Sequence, residues 1–388
     1  MQRLFWYNYL YAIGCLFYFM SESSAESIPS SPLWDITRFV IVAVAAGVII
    51  WYNCFYTPAT YASKTHTGGT MGTSYKVIVA QFPDNADWKS LTDEIQERLD
   101  ALDQMMSTFK PDSEVNRFNA SRSTEDWFSV SQETAFVVDT ALKISHATDG
   151  AFDITVAPLV RHWGFGADKI PPQTRSFEEI KTAAAALKEQ TGYEKLSVRL
   201  DPPALKKEIP ELTIDLSAIA KGYAVDCIAD LLEGRKLTDY LIEVGGEVRC
   251  KGKKGKNKDW IVGVEKPTLE FSGHQQKFVL GDQSMATSGS YQQPAEIDGK
   301  RFSHIVDPRT GIPAQVESGV RDLVAVAVIS PTCIVADAWA TTLFVLGEQK
   351  GVKIADEQKL AALFLLRSGD EIVEVQSKQW MHCTMATK

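Results

Sequence analysis

The stretch CIVADAWATTLFVLG, residues 333–347, restricts the fold more than any other part of the chain. Its residues are apolar almost all round a helix, and a helix of that kind is buried. The helix is expected over 331–346, with Ser330 and Pro331 at its start, where proline suits the first helical position, and Gly347 at its end. Asp337 lies inside it, and Thr341 follows four residues later on the same face. A buried carboxylate is costly without a partner. A cation would supply one, and two oxygen donors suit Mg2+ rather than zinc. The plainer alternative is a polar stripe on a surface helix.

Around this helix, strands and helices interleave without a regular βαβ repeat. TMGTSYKVIVAQF (70–82) alternates as a strand, and 91–109 carries Ile95, Leu99, Leu102 and Met106 at helical spacing. Ser131 is placed to cap a helix running to Ala147, EEIKTAAAALKEQ forms a shorter one, and 196–200 and 324–329 read as strands. YLIEVGGEVRCKGK (240–253) reads as two short strands with glycines between or within them. The pattern predicts an α+β fold with largely antiparallel sheets. Residues 57–68 are small and polar and read as a linker.

Several function classes drop out. A net charge of −9 argues against a nucleic-acid partner, which usually meets a basic face. Six scattered cysteines show neither a zinc spacing nor a disulfide framework, and Cys227 and Cys333 read as small buried residues. The lysines at 251, 253, 254, 256 and 258 read as a solvated hairpin tip. No GxxxxGK[ST], GxGxxG after a strand, GxSxG or HExxH occurs, so NTPase, Rossmann, α/β-hydrolase and zincin readings lack support.

The N-terminal end has a different character. Residues 4–20 are apolar and aromatic, and fit a signal sequence, a second span, or a stretch upstream of a true start at Met20. Residues 39–56 carry no charge and are long enough to span a bilayer, with Trp51, Tyr52 and Tyr56 suited to an interfacial belt. Arg38 at the near edge favours the N-terminus inside and the main domain outside. The expected division is 1–64 as anchor region and linker, with the span at about 39–56, and 65–388 as one large domain.

Four further stretches could carry chemistry. In IDLSAIAKG (214–222), a helix start offers free N–H groups, Lys221 adds a charge, and small residues let a ligand approach the backbone. The alternative is that Asp215 or Ser217 only caps the helix. In 288–313, His304 stands at a strand end near Ser288, Asp307 and Arg309, as a proton-transfer group or a structural histidine. DGAFDITVAPLVRHWGFG (149–166) sets Trp163 and Phe165 in a Gly-punctuated loop, as a ring pocket or as core. MSTFKPDSEVNRFN (106–119) places Phe109 at a helix end, free to stack on a flat ring or simply to pack.

These stretches, taken in order with MGTSY, GAFDITVAPLV, DLSAIAKGYAVD, YLIEVGGEVRCKG, MATSGSY, SHIVDPRTGIP and ADAWATTLFVLG, resemble the ApbE family, the FAD:protein FMN transferases. The resemblance covers about residues 70–375. It implies an ApbE-like fold and an enzyme that uses Mg2+ to move the FMN half of FAD onto a Ser or Thr hydroxyl of a target protein, releasing AMP. By motif, Met71, Phe109, Ala151, Phe152, Asp153, Asp215, Lys221 and Ile305 would contact the flavin nucleotide. The Ala218 carbonyl, Asp337 and Thr341 would hold Mg2+, and His304 would activate the acceptor hydroxyl, with Lys221 as a second catalytic group. Phe109 departs from the tyrosine common at that position, keeping a stacking face and losing a hydroxyl. The family and the anchor together imply the inner membrane, an extracytoplasmic catalytic domain, and a membrane electron-transfer flavoprotein subunit as target. The alternatives are a pyrophosphatase splitting FAD into FMN and AMP, and a membrane-anchored flavin binder without turnover.

Overall fold

A computed structural model of the chain describes residues 61–166, 176–255, 258–267, 273–290, 295–298, 300–315 and 322–385, with Val40 and Val44. Contacts divide the chain into two units, Met1–Thr60 and Tyr61–Lys388. The span read at 39–56 lies outside the described residues, save for Val40 and Val44, which are helical and exposed. Among the described residues no helix is long and apolar enough to cross a membrane.

The second unit is built on one eight-stranded sheet. Its strands run, in spatial order, Tyr61–Thr70, Thr73–Pro83, Tyr240–Val244, Glu247–Lys251, Ser284–Gly289, Asp322–Ser330, Ala361–Ser368 and Glu371–Gln376. Every neighbouring pair is antiparallel, as are the pairs of the three smaller sheets. The expected α+β architecture with largely antiparallel sheets is the one the chain adopts.

The central strands are covered on both faces, which is why DLVAVAVIS and AALFLLRS read as unbroken apolar runs rather than alternating ones. Val326, Val328 and Phe364 face a layer of helices that contributes Ile95, Leu99, Ile228 and Phe344. Ala327, Ile329 and Leu363 face the other way, onto Trp260, Phe278 and Trp380. A smaller core gathers Leu159, Trp163, Ile180 and Phe302 beside the sheet that contains Lys300–Asp307.

Tyr61–Thr70, which overlaps residues 61–68 of the stretch read as a linker, is the edge strand of the sheet. Its residues alternate between exposed and half-buried, so apolar content does not reveal it; its ladder with Thr73–Pro83 holds it. The pair closes on Met71-Gly72, with φ of 47° and 72°, and Tyr240–Val244 closes on Glu247–Lys251 through Gly245-Gly246, with φ of 59° and 103°. Positive φ at both central residues is what tight two-residue hairpins require. The Gly245 N–H donates to the Ser74 carbonyl at 3.0 Å, so both hairpin tips lie at one end of the sheet.

The helix Cys333–Glu357 begins later than expected. The strand before it runs to Ser330, leaving Pro331 and Thr332 as the turn, and Thr332 gives no side-chain cap. The helix breaks at Gly347, with φ 73° and ψ 178°, as expected, but then resumes. Its first N–H groups are satisfied by another helix. Asp226, in the helix Ala220–Gly234, accepts from Cys333 N–H and Ile334 N–H, both at 2.9 Å. In return Asp337 accepts from Gly222 N–H at 2.9 Å, and Ala220–Gly234 also lacks a side-chain cap of its own. Each helix therefore caps the N-terminus of the other with a buried carboxylate.

Gly222 makes this contact possible, because a Cβ there would stand 2.4 Å from the Cys333 carbonyl oxygen and 2.7 Å from the Asp337 Cβ. Gly234 in the same helix has nothing within 4 Å of its Cβ position. Helix propensity favours alanine at both sites, so only packing separates them. Gly222→Ala is expected to cost about 2 kcal/mol of unfolding free energy by overpacking. Gly234→Ala is expected to be neutral or stabilising by up to about 1 kcal/mol. Urea denaturation of the two variants checks this; equal effects would contradict it.

Candidate active site

A cavity of about 980 Å3 opens beside the two hairpin tips, and Met71, Gly72, Gly245 and Gly246 are on its wall. The start of the Lys221 helix brings in Asp215, Ala218 and Lys221, and the Asp337 helix brings in Asp337 and Thr341. The 151–153 turn adds Ala151, Phe152 and Asp153, and the strand Lys300–Asp307 adds His304 and Ile305. The cavity thus collects all but one of the residues to which the family resemblance gives a role. Phe109 is the exception: the preceding helix ends at Met106, and Phe109 lies 68% exposed in the following turn, off the cavity wall.

The stretch IDLSAIAKG does not cap its helix in the ordinary way. Asp215, five residues before the helix begins, accepts on Oδ1 from Ser217 N–H at 2.9 Å and Ser217 Oγ at 2.5 Å. The N-cap position falls to Ile219. In an uninterrupted helix the Gly222 N–H would bond the Ala218 carbonyl. Here that N–H goes to Asp337, and among the described residues no donor reaches the Ala218 oxygen. The same bond uses one oxygen of the buried Asp337 and leaves Oδ1 without a described donor. Thr341 Oγ1 lies 2.9 Å from Ser288 Oγ. A free carbonyl, a carboxylate oxygen and a hydroxyl are hard oxygen donors, and they fit Mg2+, which commonly keeps waters and substrate phosphates as its other ligands. Among the described residues no group of three or more His, Cys, Asp or Glu could hold a metal.

Lys221 is paired as well as presented. Its Nζ donates to Glu247 Oε1 at 2.5 Å, and Glu247 is 3% exposed. Glu247 Oε2 is buried with no hydrogen-bond partner. Burial works against the Lys221 charge, but Asp337 and Glu247 outweigh it and hold its pKa above the usual 10.5. Burial pushes the Glu247 carboxyl above the ordinary carboxylate range, with Lys221 pulling it down and Asp337 pushing it up. Sequence reasoning missed Glu247. Its only signal is an acid directly after the Gly245-Gly246 turn, since its burial comes from tertiary contacts.

His304 presents its ring to the cavity solvent, and no described hydrogen-bond partner reaches it. Desolvation within the concave site and then the Lys221 charge push its pKa below 6.5, so it is neutral at pH 7. Phe165 lies edge-on with ring centroids 6.4 Å apart. Asp307 and Arg309 form a bidentate pair with each other, both bonds at 2.9 Å, and neither lines the cavity. Trp163 is fully buried, its Nε1 donating to the Gly311 carbonyl at 2.7 Å, so it is core. Asp153 spends its oxygens locally: Oδ1 accepts from Thr155 N–H and Oγ1 at 2.8 and 2.7 Å, and Oδ2 from Tyr193 N–H at 3.0 Å. The Asp215 N–H donates to the Ile154 carbonyl at 2.7 Å and ties that turn to the Lys221 segment.

The Lys221–Glu247 pair predicts a compensating double substitution. Lys221→Met leaves a buried carboxylate unpaired, which typically costs about 3 kcal/mol. Adding Glu247→Gln removes that charge and is expected to restore most of the loss in urea denaturation. Independent, additive losses would show that the pair does not couple.

The ApbE family model matches residues 71–364. A relative named FAD:protein FMN transferase from Vibrio cholerae serotype O1 is 39% identical over 320 residues, 82% of this chain and 92% of its own length. Another of that name, from Escherichia coli K12, is 38% identical over 352 residues, 88% of this chain and 95% of its own. The solved flavin transferase ApbE from Vibrio cholerae superposes with a TM-score of 0.73 at 38% identity, over 83% of this chain and 99% of that one. The Pseudomonas stutzeri flavinyl transferase ApbE, apo form, gives 0.74 at 32% identity, over 84% and 98%. The chain belongs to the ApbE family and is a transferase.

Proposed function

We propose that the cavity takes up FAD with Mg2+ and transfers its FMN half to a Ser or Thr hydroxyl of a target protein, with release of AMP. The observation that carries this reading is the convergence of Lys221, Asp337 and His304 on one cavity from three segments distant in sequence. The acceptor oxygen forms a bond to the phosphorus of the FMN half, and the bond from that phosphorus to the oxygen of AMP breaks. The hydroxyl proton passes to the neutral His304 ring, and AMP leaves with the bridging oxygen and its electron pair. Lys221 and the N-terminus of its helix lie against the charge that builds on the pyrophosphate. Glu247 fixes the ammonium in place. The Ala218 carbonyl, Asp337 and Thr341 would hold Mg2+, which would supply positive charge against the pyrophosphate.

Residues 1–60 serve in this reading as anchor and linker, and 61–388, which open with the edge strand Tyr61–Thr70, as the catalytic domain on the extracytoplasmic side of the inner membrane. The uncharged run 39–56 and Arg38 support that orientation. A membrane electron-transfer flavoprotein subunit is the target that such tethering favours.

Two variants test the reading. Asp337→Asn keeps an oxygen for the Gly222 N–H and loses the charge. It is expected to lower transfer by about 100-fold or more while unfolding close to the wild type. Full transfer would remove Asp337 from the metal site. His304→Asn is expected to lower kcat by about 10²- to 10⁴-fold. Because the neutral ring takes the proton and its pKa is depressed in the free enzyme, wild-type kcat/KM should fall only as pH drops below 6.5. An acid limb centred above that value would exclude His304 as the base.

A further inference from the structure

Asp226 does not line the cavity, and no motif-based role falls on it. It is nevertheless buried, at 8% exposure, and saturated with donors. Oδ1 accepts from Cys333 N–H at 2.9 Å and from Arg249 at 2.6 Å, and Oδ2 accepts from Ile334 N–H at 2.9 Å. Cys333 and Ile334 are the first two residues of the Asp337 helix. Asp337 lies one turn beyond Cys333 and bonds to Gly222, which lies one turn before Asp226. The four positions close a circuit across the two helices, with a carboxylate-to-N–H bond at each crossing.

We propose that Asp226 is a positioning residue for the cation site. It sets how far the Asp337 helix is advanced along its axis, and so where Asp337 Oδ1 and Thr341 Oγ1 stand relative to the free Ala218 carbonyl. The inference rests on the Mg2+ reading above. A helix rises about 1.5 Å per residue. Metal–ligand distances tolerate only about 0.2 Å. Slippage by a fraction of one residue is therefore enough to spoil the site without unfolding the domain. Arg249 donates to the same Oδ1 that accepts from Cys333 N–H, and is itself 3.7 Å from Glu233.

The test titrates the full-length chain with MgCl2 alone and follows the rise in its melting temperature, which reports binding to the native state. The wild type should respond, and Asp337→Asn should not. Asp226→Asn offers one acceptor oxygen, so at most one of the two helix N–H bonds survives with its geometry. Its Mg2+ half-saturation should rise about 10- to 100-fold. Arg249→Gln keeps both of those bonds and should stay within about 3-fold of the wild type. If Asp226→Asn does not fold, Asp226→Glu, which displaces the carboxylate by one methylene, gives the same readout. Wild-type half-saturation in the folded Asp226 variant would overturn the positioning role and leave the Mg2+ reading standing. No Mg2+ response in the wild type would overturn both.

Discussion

Two buried carboxylates, Asp226 and Asp337, each stabilise the N-terminus of the other's helix, and the rest of the site depends on that exchange. Neither helix has a capping side chain of its own, so without the exchange the Cys333 and Ile334 N–H groups would be buried without partners. Each such loss typically costs about 1–3 kcal/mol. The exchange also explains two features that look unrelated along the chain. Gly222 is needed because the helices touch there at backbone distance. The Ala218 carbonyl is free because the N–H that would normally bond it has been drawn away to Asp337.

The site's electrostatics are local rather than global. The chain carries a net charge of −9, yet the proposed ligand is an anion. What would receive it is one lysine held against one buried glutamate at a helix start, with the neutral His304 within reach of the lysine's field. Lys221 can do this because its partner is inside the protein and its other side faces the cavity. Burial first, and then the same lysine field, keep His304 unprotonated, the form that accepts a proton.

Much of the site was legible in the sequence because its residues come in short runs with unusual local chemistry. An aspartate inside an apolar helix demands a partner, and the structure provides the Gly222 N–H on one oxygen while leaving the other open. A lysine in the first turn of a helix, preceded by a run of small residues, is likewise recognisable. What was not legible depends on contacts between segments. Glu247 looks like any strand acid until Lys221 is placed against it. Tyr61–Thr70 looks like a linker because an edge strand needs little apolar content. The Asp337 helix starts after Pro331 because its cap comes from Asp226, 107 residues away, a relation no local pattern encodes. Phe109 projects into solvent because its helix stops at Met106.

The central claim is a covalent one, and intact mass spectrometry of an acceptor tests it most directly. The full-length chain would be incubated with FAD, Mg2+ and a membrane flavoprotein domain that exposes a threonine. The acceptor should gain the mass of one FMN residue, AMP should appear in equal amount, and chelating Mg2+ should abolish both. FMN and AMP accumulating beside an unmodified acceptor, with water as the only nucleophile used for every such domain tried, would contradict it and make the enzyme a pyrophosphatase.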